Sequence, residues 1–183
     1  MIIEDWRPPI IEMVMTKQNL AAWDPRGVFP NHSPEVAATE EAIAAAERSL
    51  GVALDPEHRR FLGFADGWKA FDQHVTLMGT AELIASPLRD AAFDAFAVAP
   101  EPLESLGLSA DAVLPIAASL RQADVFLMPI EAGAAGAKVH WIAEGEVIDT
   151  FDSFGQYFVS IIEYTKRQIT RMQEAAREAG LTE

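Results

Sequence analysis

Apolar residues recur at helical spacing in the first hundred positions and in short, strand-like runs afterwards. Residues 8–23 place apolar side chains close to one helical face and precede the breaker-rich segment Asp24-Pro25-Arg26-Gly27, so they predict a helix. Ser33-Pro34-Glu35 combines the hydroxyl, proline and acid typical of a helix start, and Gly51 is the matching end. The pattern therefore predicts a second helix over 34–50.

Similar start signals occur further along the chain. Asp55-Pro56-Glu57 opens a short helix, Ser86-Pro87 opens a helix that continues through Phe96, and Asp152-Ser153 caps a long final helix. Between the last two of these signals, short aliphatic and aromatic runs separated by turn residues predict an antiparallel meander over 113–116, 124–130, 138–142 and 146–151. Residues 75–78, before Ser86, predict a further strand.

This order of elements predicts an α+β fold. We expect a single domain with a twisted antiparallel or mixed sheet, because 183 residues match the usual size of one domain. We expect the helices over 34–50 and 153–172 to cover one face of the sheet. Phe61, Leu62, Trp141 and Phe158 should then be buried together.

Charge changes the picture because the chain is strongly acidic. The chain has 28 Asp and Glu against 14 Lys and Arg, a formal net charge of −14, which disfavours binding to a phosphate backbone. The net negative charge concentrates in residues 72–163, which hold 14 acidic but only 3 basic side chains. Nucleic acid is therefore excluded as an expected partner, and the predicted sheet carries most of the negative charge. Plain solubility explains such acidity equally well.

Candidate chemistry is sparse. There is no cysteine, and the motifs of serine hydrolases, zinc proteases, dinucleotide-binding loops and calcium loops are absent, so we predict no enzyme activity, no metal and no cofactor. His74 and His140 are interpreted as structural, and His58, beside two arginines, as solvated surface. Charged residues within the first five positions argue against a signal peptide, and the apolar runs are too short for a membrane-spanning helix. Both observations favour a cytoplasmic protein.

The most specific feature is the continuous segment from Glu47 to Trp68. A helix containing a glutamate ends in Leu-Gly, a proline opens a second helix ending in Phe-Leu, and an Asp-Gly turn follows. This arrangement resembles the signature of the SUKH superfamily, although His58 stands where that family usually has an aromatic residue. The residues that carry the resemblance are Glu47, Leu50, Gly51, Pro56, Phe61, Leu62, Asp66, Gly67 and Trp68.

The resemblance extends through Leu114-Pro115-Ile116-Ala117 and the segment 149–154, and so covers roughly residues 34–163. It implies a SUKH-like domain over 34–163, preceded by an N-terminal helical extension (1–33) and followed by a C-terminal extension of the final helix (164–183). The signature itself has structural explanations. Leu50, Phe61 and Leu62 pack, while glycine permits positive φ at a helix end and in a turn.

The resemblance implies a non-enzymatic binding module. Many bacterial members resemble immunity proteins that neutralise a cognate toxin, often a nuclease, whereas fungal relatives act in cell-wall regulation. A nuclease site must be cationic to hold phosphate, so an acidic protein would complement it. We expect a basic toxin domain as the partner, with a regulatory or assembly module as the alternative. Candidate contacts at strand ends and turns are Asp124, Glu131, Glu144, Glu146, Asp149 and Asp152.

Overall fold

The computed structural model describes residues 2–180 and has helices and strands in the predicted α+β arrangement. The helices are α1 (Arg7–Trp23), α2 (Glu40–Leu50), α3 (Pro56–Leu62), α4 (Thr80–Ile84), α5 (Pro87–Val98), α6 (Glu101–Ser105) and α7 (Phe154–Glu178). A 3-10 turn spans Ala110–Ala112. The strands are β1 (Trp68–Asp72), β2 (Val75–Leu77), β3 (Val113–Ala118), β4 (Val125–Glu131), β5 (Ala134–Ala135), β6 (Val139–Ala143) and β7 (Glu146–Phe151).

The sheet is an antiparallel meander, as the turn-separated runs predicted. Its order is β1-β2-β3-β4-β6-β7, every neighbouring pair is antiparallel, and the two-residue β5 pairs with β4. β1 and β7 are the edges. β3 is buried at every position and β4 at its first five, so the centre of the sheet needs cover on both faces.

The start of α2 differs from the prediction. Ser33-Pro34-Glu35 lies in an irregular segment, and α2 begins at Glu40, where the Thr39 side chain accepts a hydrogen bond from the Ala42 backbone (3.2 Å). The N–H groups of residues 35 and 38 instead donate to the carbonyls of Gly67 and Leu62. The chain therefore satisfies these donors without a helix, which a local start signal cannot reveal.

The helices divide between the two sides of the sheet. Tyr157 of α7 packs on Phe126 and Phe151 (ring centroids 4.9 and 5.7 Å apart), so the final helix covers one face as predicted. α5 contacts β3, and α6 contacts β7. The main neighbour of α2 is α4, so the expectation that α2 covers the same face as α7 is wrong. Because the central strands are buried on both faces, α5 is needed to cover the face that α7 does not cover.

An aromatic core joins segments that are distant in sequence. Trp6, which precedes α1, is fully buried, and its ring lies 5.2 to 5.4 Å from those of Phe61, Phe154 and Phe158. The predicted burial of Phe61, Leu62 and Phe158 is confirmed, while Trp141 is only partly buried. α1 packs along α7. The N-terminal segment is therefore part of the same core.

Candidate functional site

The Asp66-Gly67 turn holds the fold together. Gly67 has a φ of +89°, as predicted for a turn glycine, and a Cβ at this position would lie 2.5 Å from the Gly79 nitrogen. Asp66 accepts hydrogen bonds from the backbone N–H (2.6 Å) and hydroxyl (2.9 Å) of Thr80. These contacts pin the turn to the start of α4, so this part of the signature is structural.

The remaining signature residues also support the scaffold. Glu47 accepts a hydrogen bond from the Leu54 backbone (3.0 Å), and Gly51 ends α2 with a φ of +67°. The Trp68 indole donates to the His32 carbonyl (2.7 Å). Leu50 packs at the edge of the core, Phe61 and Leu62 lie inside it, and Pro56 is the first residue of α3. The signature thus builds a framework around buried groups.

The prediction that His58 is solvated is wrong. Its ring is fully buried and stacks on Phe154 at 4.7 Å, and neither ring nitrogen has a hydrogen-bond partner within residues 2–180. Burial lowers the pKa of His58 to about 3, so the ring is neutral. His58 therefore behaves as an aromatic packing residue. The family preference for an aromatic residue was the signal that could have revealed this.

The adjacent Glu57 is also buried, and its carboxylate is fully used. Oε1 accepts a hydrogen bond from the Ile3 backbone (2.7 Å), and Oε2 accepts one from the Gly155 backbone (2.8 Å) in the first turn of α7. An acid at this place complements the positive end of the helix. Glu57 thereby connects the N-terminal segment, α3 and α7, a role that the sequence analysis missed.

The six predicted partner contacts do not form one surface. Val125 pairs with Ile142, so the start of β4 lies at the sheet end where the β6–β7 hairpin turns. Asp149 pairs with Trp141 nearer the middle of the hairpin. The six residues thus divide into three positions: Asp124, Glu144 and Glu146 at the turn end, Asp149 within β7, and Glu131 with Asp152 at the opposite end of their strands.

These carboxylates also differ in availability. Asp124 accepts a hydrogen bond from the Trp141 indole (2.8 Å), and Asp149 accepts one from the Tyr164 hydroxyl (2.7 Å). The other four are exposed, and none of them joins an ion pair within residues 2–180. The ion pairs within residues 2–180 lie elsewhere and join side chains of residues 4–69, or Lys166 to Glu12 and Glu163.

A cavity of about 380 Å³ lies on the α7 side of the hairpin, with Trp141, Asp149 and Tyr164 in its wall. Asp72, at the end of β1, also lines it. Burial, and secondarily the charge of Asp124, raise the pKa of Asp72 to about 6. The Lys17 ammonium donates to the carbonyls of Ala70 (2.5 Å) and Pro30 (3.3 Å), and burial lowers its pKa to about 8. The wall therefore mixes charges of both signs.

A larger and more apolar groove lies on the other side, and we call it the hairpin groove. It has a volume of about 610 Å³ and lies between α5, the β3–β4 loop and the turn of the β6–β7 hairpin. Val98 and Leu120 line it with 86% and 64% of their surface exposed. Two carboxylates, Asp94 and Glu144, also belong to its lining. The groove therefore combines exposed apolar surface with acids.

The arrangement offers little for metal binding. No group of three or more His, Asp or Glu side chains within residues 2–180 is placed to hold a metal ion. The same part of the chain contains no helix that is both long and apolar enough to cross a bilayer. What the geometry does supply is surface for binding, concentrated around the β6–β7 hairpin.

The sequence profile of the SMI1 / KNR4 family (SUKH-1) matches residues 37–160. The chain belongs to this family. The match includes the whole signature segment and the sheet, and it leaves α1 and most of α7, from residue 161 onwards, outside. No curated protein matches the chain. SUKH-1 membership agrees with the structural role found for the signature residues, which the family resemblance had already placed in the scaffold.

Proposed function

We propose that this SUKH-1 protein is a non-enzymatic immunity protein that binds and neutralises a basic toxin domain. The observation that carries the proposal is the pair of exposed carboxylates, Glu144 and Glu146, at the turn of the β6–β7 hairpin. Neither has an ion-pair partner among the described residues. SUKH-1 membership supports a toxin-immunity or related binding role in general.

Unpaired surface carboxylates suit recognition of a cationic partner. A charge that already forms an ion pair adds little to the field felt by an approaching molecule, whereas free charges of one sign steer oppositely charged proteins towards them. A toxin that acts on nucleic acid needs a cationic surface to hold phosphate. The hairpin turn offers such a toxin a complementary surface on a rigid strand pair.

The predicted contacts contribute unequally in this proposal. Asp124 and Asp149 are already hydrogen-bonded to Trp141 and Tyr164, so rotating either towards a partner would break an existing contact. Glu144 and Glu146 are free of this cost. Glu131 and Asp152, at the other end of their strands, would be reached only by a partner that spans the sheet.

The test is whether the gene immediately upstream encodes a toxin domain and whether this protein binds that domain. Raising the salt concentration should slow association far more than it speeds dissociation, and Glu144→Lys with Glu146→Lys should lower the association rate. The matched control is Glu131→Lys with Asp152→Lys, which makes the same charge change at the opposite end of the strands. Equal effects of the two double variants would remove the hairpin turn from the proposal, and an absence of binding would refute the immunity role.

A regulatory or assembly module is the second candidate, and exposed apolar residues on α1 favour it. Ile11 and Met15 are each 61% exposed and lie one helical turn apart, which places them side by side. Such a pair is a plausible contact for a further protein with no toxin involved. Two results together would support this candidate: the protein does not protect cells from a toxin encoded next to it, and a cellular partner binds through α1.

A further inference from the structure

We propose that the hairpin groove is the docking site for a basic amphipathic segment of the partner, with an apolar side chain entering the groove between flanking Lys or Arg residues. This inference deepens the proposed function and rests on it for the identity of the partner. It assigns the centre of the interface to apolar residues of α5 and the β3–β4 loop, which the acidic residues alone do not identify.

The groove presents a continuous apolar surface. Val98 lies at the end of α5 and Leu120 in the β3–β4 loop, so two separate elements present exposed apolar side chains to the same groove. Ala95, Ala99 and Ile142 continue the lining between them. Isolated exposed apolar residues are ordinary, but a contiguous apolar concavity is typical of protein–protein contact.

The charge at the groove favours a cationic occupant. Asp94 and Glu144 approach it from α5 and from the hairpin, and neither forms an ion pair in the part of the chain that the structure describes. Arg121 is the one basic side chain in the lining. An apolar centre beside free carboxylates complements an apolar anchor flanked by cations, the arrangement that gives a specific orientation as well as affinity.

The same charges disfavour a second copy of this chain as the occupant. A symmetric contact through the groove would bring Asp94 and Glu144 of one copy against the acidic surface of the other, and each copy carries a net charge of −14. Like charges facing each other across an interface oppose association. A cationic segment removes this repulsion, so the groove fits a basic partner.

The first experiment needs no toxin. A short helical peptide with leucines on one face and lysines on the other is titrated into the protein while the methyl NMR signals of Val98 and Leu120 are followed. We expect saturable binding that shifts these signals, and no binding of the same peptide with glutamate in place of lysine. If the Leu/Lys peptide binds elsewhere on the protein, or does not bind, the proposal that the groove is a docking site is wrong.

The second experiment uses variants. Val98→Ser with Leu120→Ser should weaken binding of the Leu/Lys peptide and of the upstream-encoded toxin domain by about tenfold or more. Ile2→Ser with Val36→Ser removes apolar surface of similar exposure (70% and 88%) outside the groove and should leave both affinities unchanged. Thermal melting checks that both double variants fold, which their exposure leads us to expect.

The two proposals fail in different ways. Toxin binding that is unaffected by Val98→Ser with Leu120→Ser overturns the groove and leaves the immunity role standing. Peptide binding at the groove without any binding of the toxin supports the groove and refutes the immunity role. Loss of affinity in the control variant at Ile2 and Val36 as well would show a general effect of removing apolar surface, which also overturns the assignment of binding to the groove.

Discussion

The aromatic core around Phe61 and the hairpin groove are both rich in apolar side chains, but the core buries these side chains and the groove leaves two of them exposed. Around Phe61 the rings of two helices, α3 and α7, and of the N-terminal segment exclude solvent, and even a glutamate and a histidine are buried there. At the groove, Val98 and Leu120 stay largely exposed beside free carboxylates. The core stabilises the chain, whereas the groove leaves surface for another molecule.

The comparison also explains what a family signature can identify. Most signature residues lie in or against the buried framework, and none lines the hairpin groove. The residues that would choose a partner lie on α5, in the β3–β4 loop and at the hairpin turn. Selection for different partners can therefore change the groove while the signature stays the same, so the signature identifies the scaffold and leaves the partner open.

The largest expected effect is in the aromatic core. Phe61→Ala should lower the free energy of unfolding by about 3 to 5 kcal/mol, because the ring is fully buried against Trp6, Phe154 and Phe158. Urea denaturation followed by circular dichroism measures this loss. A loss below about 1 kcal/mol would contradict the assignment of Phe61 to the stabilising region.

The next effect tests the Asp66-Gly67 turn. Gly67→Ala should cost about 2 to 4 kcal/mol, because the residue combines positive φ with backbone atoms of Leu77 and Gly79 that leave no space for a Cβ. Gly51→Ala is the matched control, since Gly51 also has positive φ but no atom within 4 Å of an added Cβ. Equal losses of stability for the two variants would show that the positive φ causes the loss and that the close backbone atoms around Gly67 add nothing to it.

His58 should make the core sensitive to acid. Its pKa of about 3 in the folded protein lies below the ordinary value of 6.5, so the unfolded chain takes up a proton first as pH falls. The contribution of the neutral ring to the free energy of unfolding is complete above pH 6.5 and is lost as the pH falls towards 3. The loss between pH 7 and pH 4.5 should be about 2 to 3 kcal/mol. His58→Phe should remove that part of the pH dependence in denaturation curves. An unchanged profile would contradict the buried neutral ring.

Asp72 should act in the opposite direction. Its folded pKa of about 6 lies above the ordinary 3.8, so the ionised carboxylate costs stability above pH 6 and the cost disappears as pH falls towards 4. Asp72→Asn should therefore stabilise the protein by about 1 to 2 kcal/mol at pH 7.5 and have little effect at pH 4. Thermal melts at the two pH values provide the measurement, and destabilisation at pH 7.5 would show that the charge is favourably paired.

The smallest expected effect on stability is at the hairpin turn. Glu144→Lys with Glu146→Lys should change the free energy of unfolding by less than about 0.5 kcal/mol, because both side chains are exposed and without ion-pair partners among the described residues. Chemical denaturation at low salt is the sensitive condition. A loss above 1 kcal/mol would place this turn among the stabilising elements and would end the contrast with the core.

Local signals predicted much of the fold. The starts of α3, α5 and α7 were correct because each helix has its own capping side chain, Asp55, Ser86 or Ser153, and the strand runs were marked by turn residues on both sides. The false start at Ser33 shows the limit of such signals. There, the N–H groups of Glu35 and Ala38 donate to the carbonyl groups of Gly67 and Leu62, which lie far along the chain.

The candidate site was less predictable than the fold. The acidic character of the sheet half is visible in the sequence, but the separation of six candidate acids into three positions depends on strand register. The hairpin groove escaped prediction because Val98, Leu120 and Ile142 meet only after the chain has folded. His58 and Glu57 were missed since the packing of α7 on α3 decides their burial.

The carboxylate of Glu57 has a consequence for how the chain matures during synthesis. Its two hydrogen-bond donors, the N–H groups of Ile3 and Gly155, are separated by most of the polypeptide. While the ribosome is still producing the sheet, Glu57 and Trp6 have no α7 to pack against, because contacts of such long range form only when the later segment is available. The nascent protein should therefore remain open to chaperones and proteases until α7 has left the ribosome.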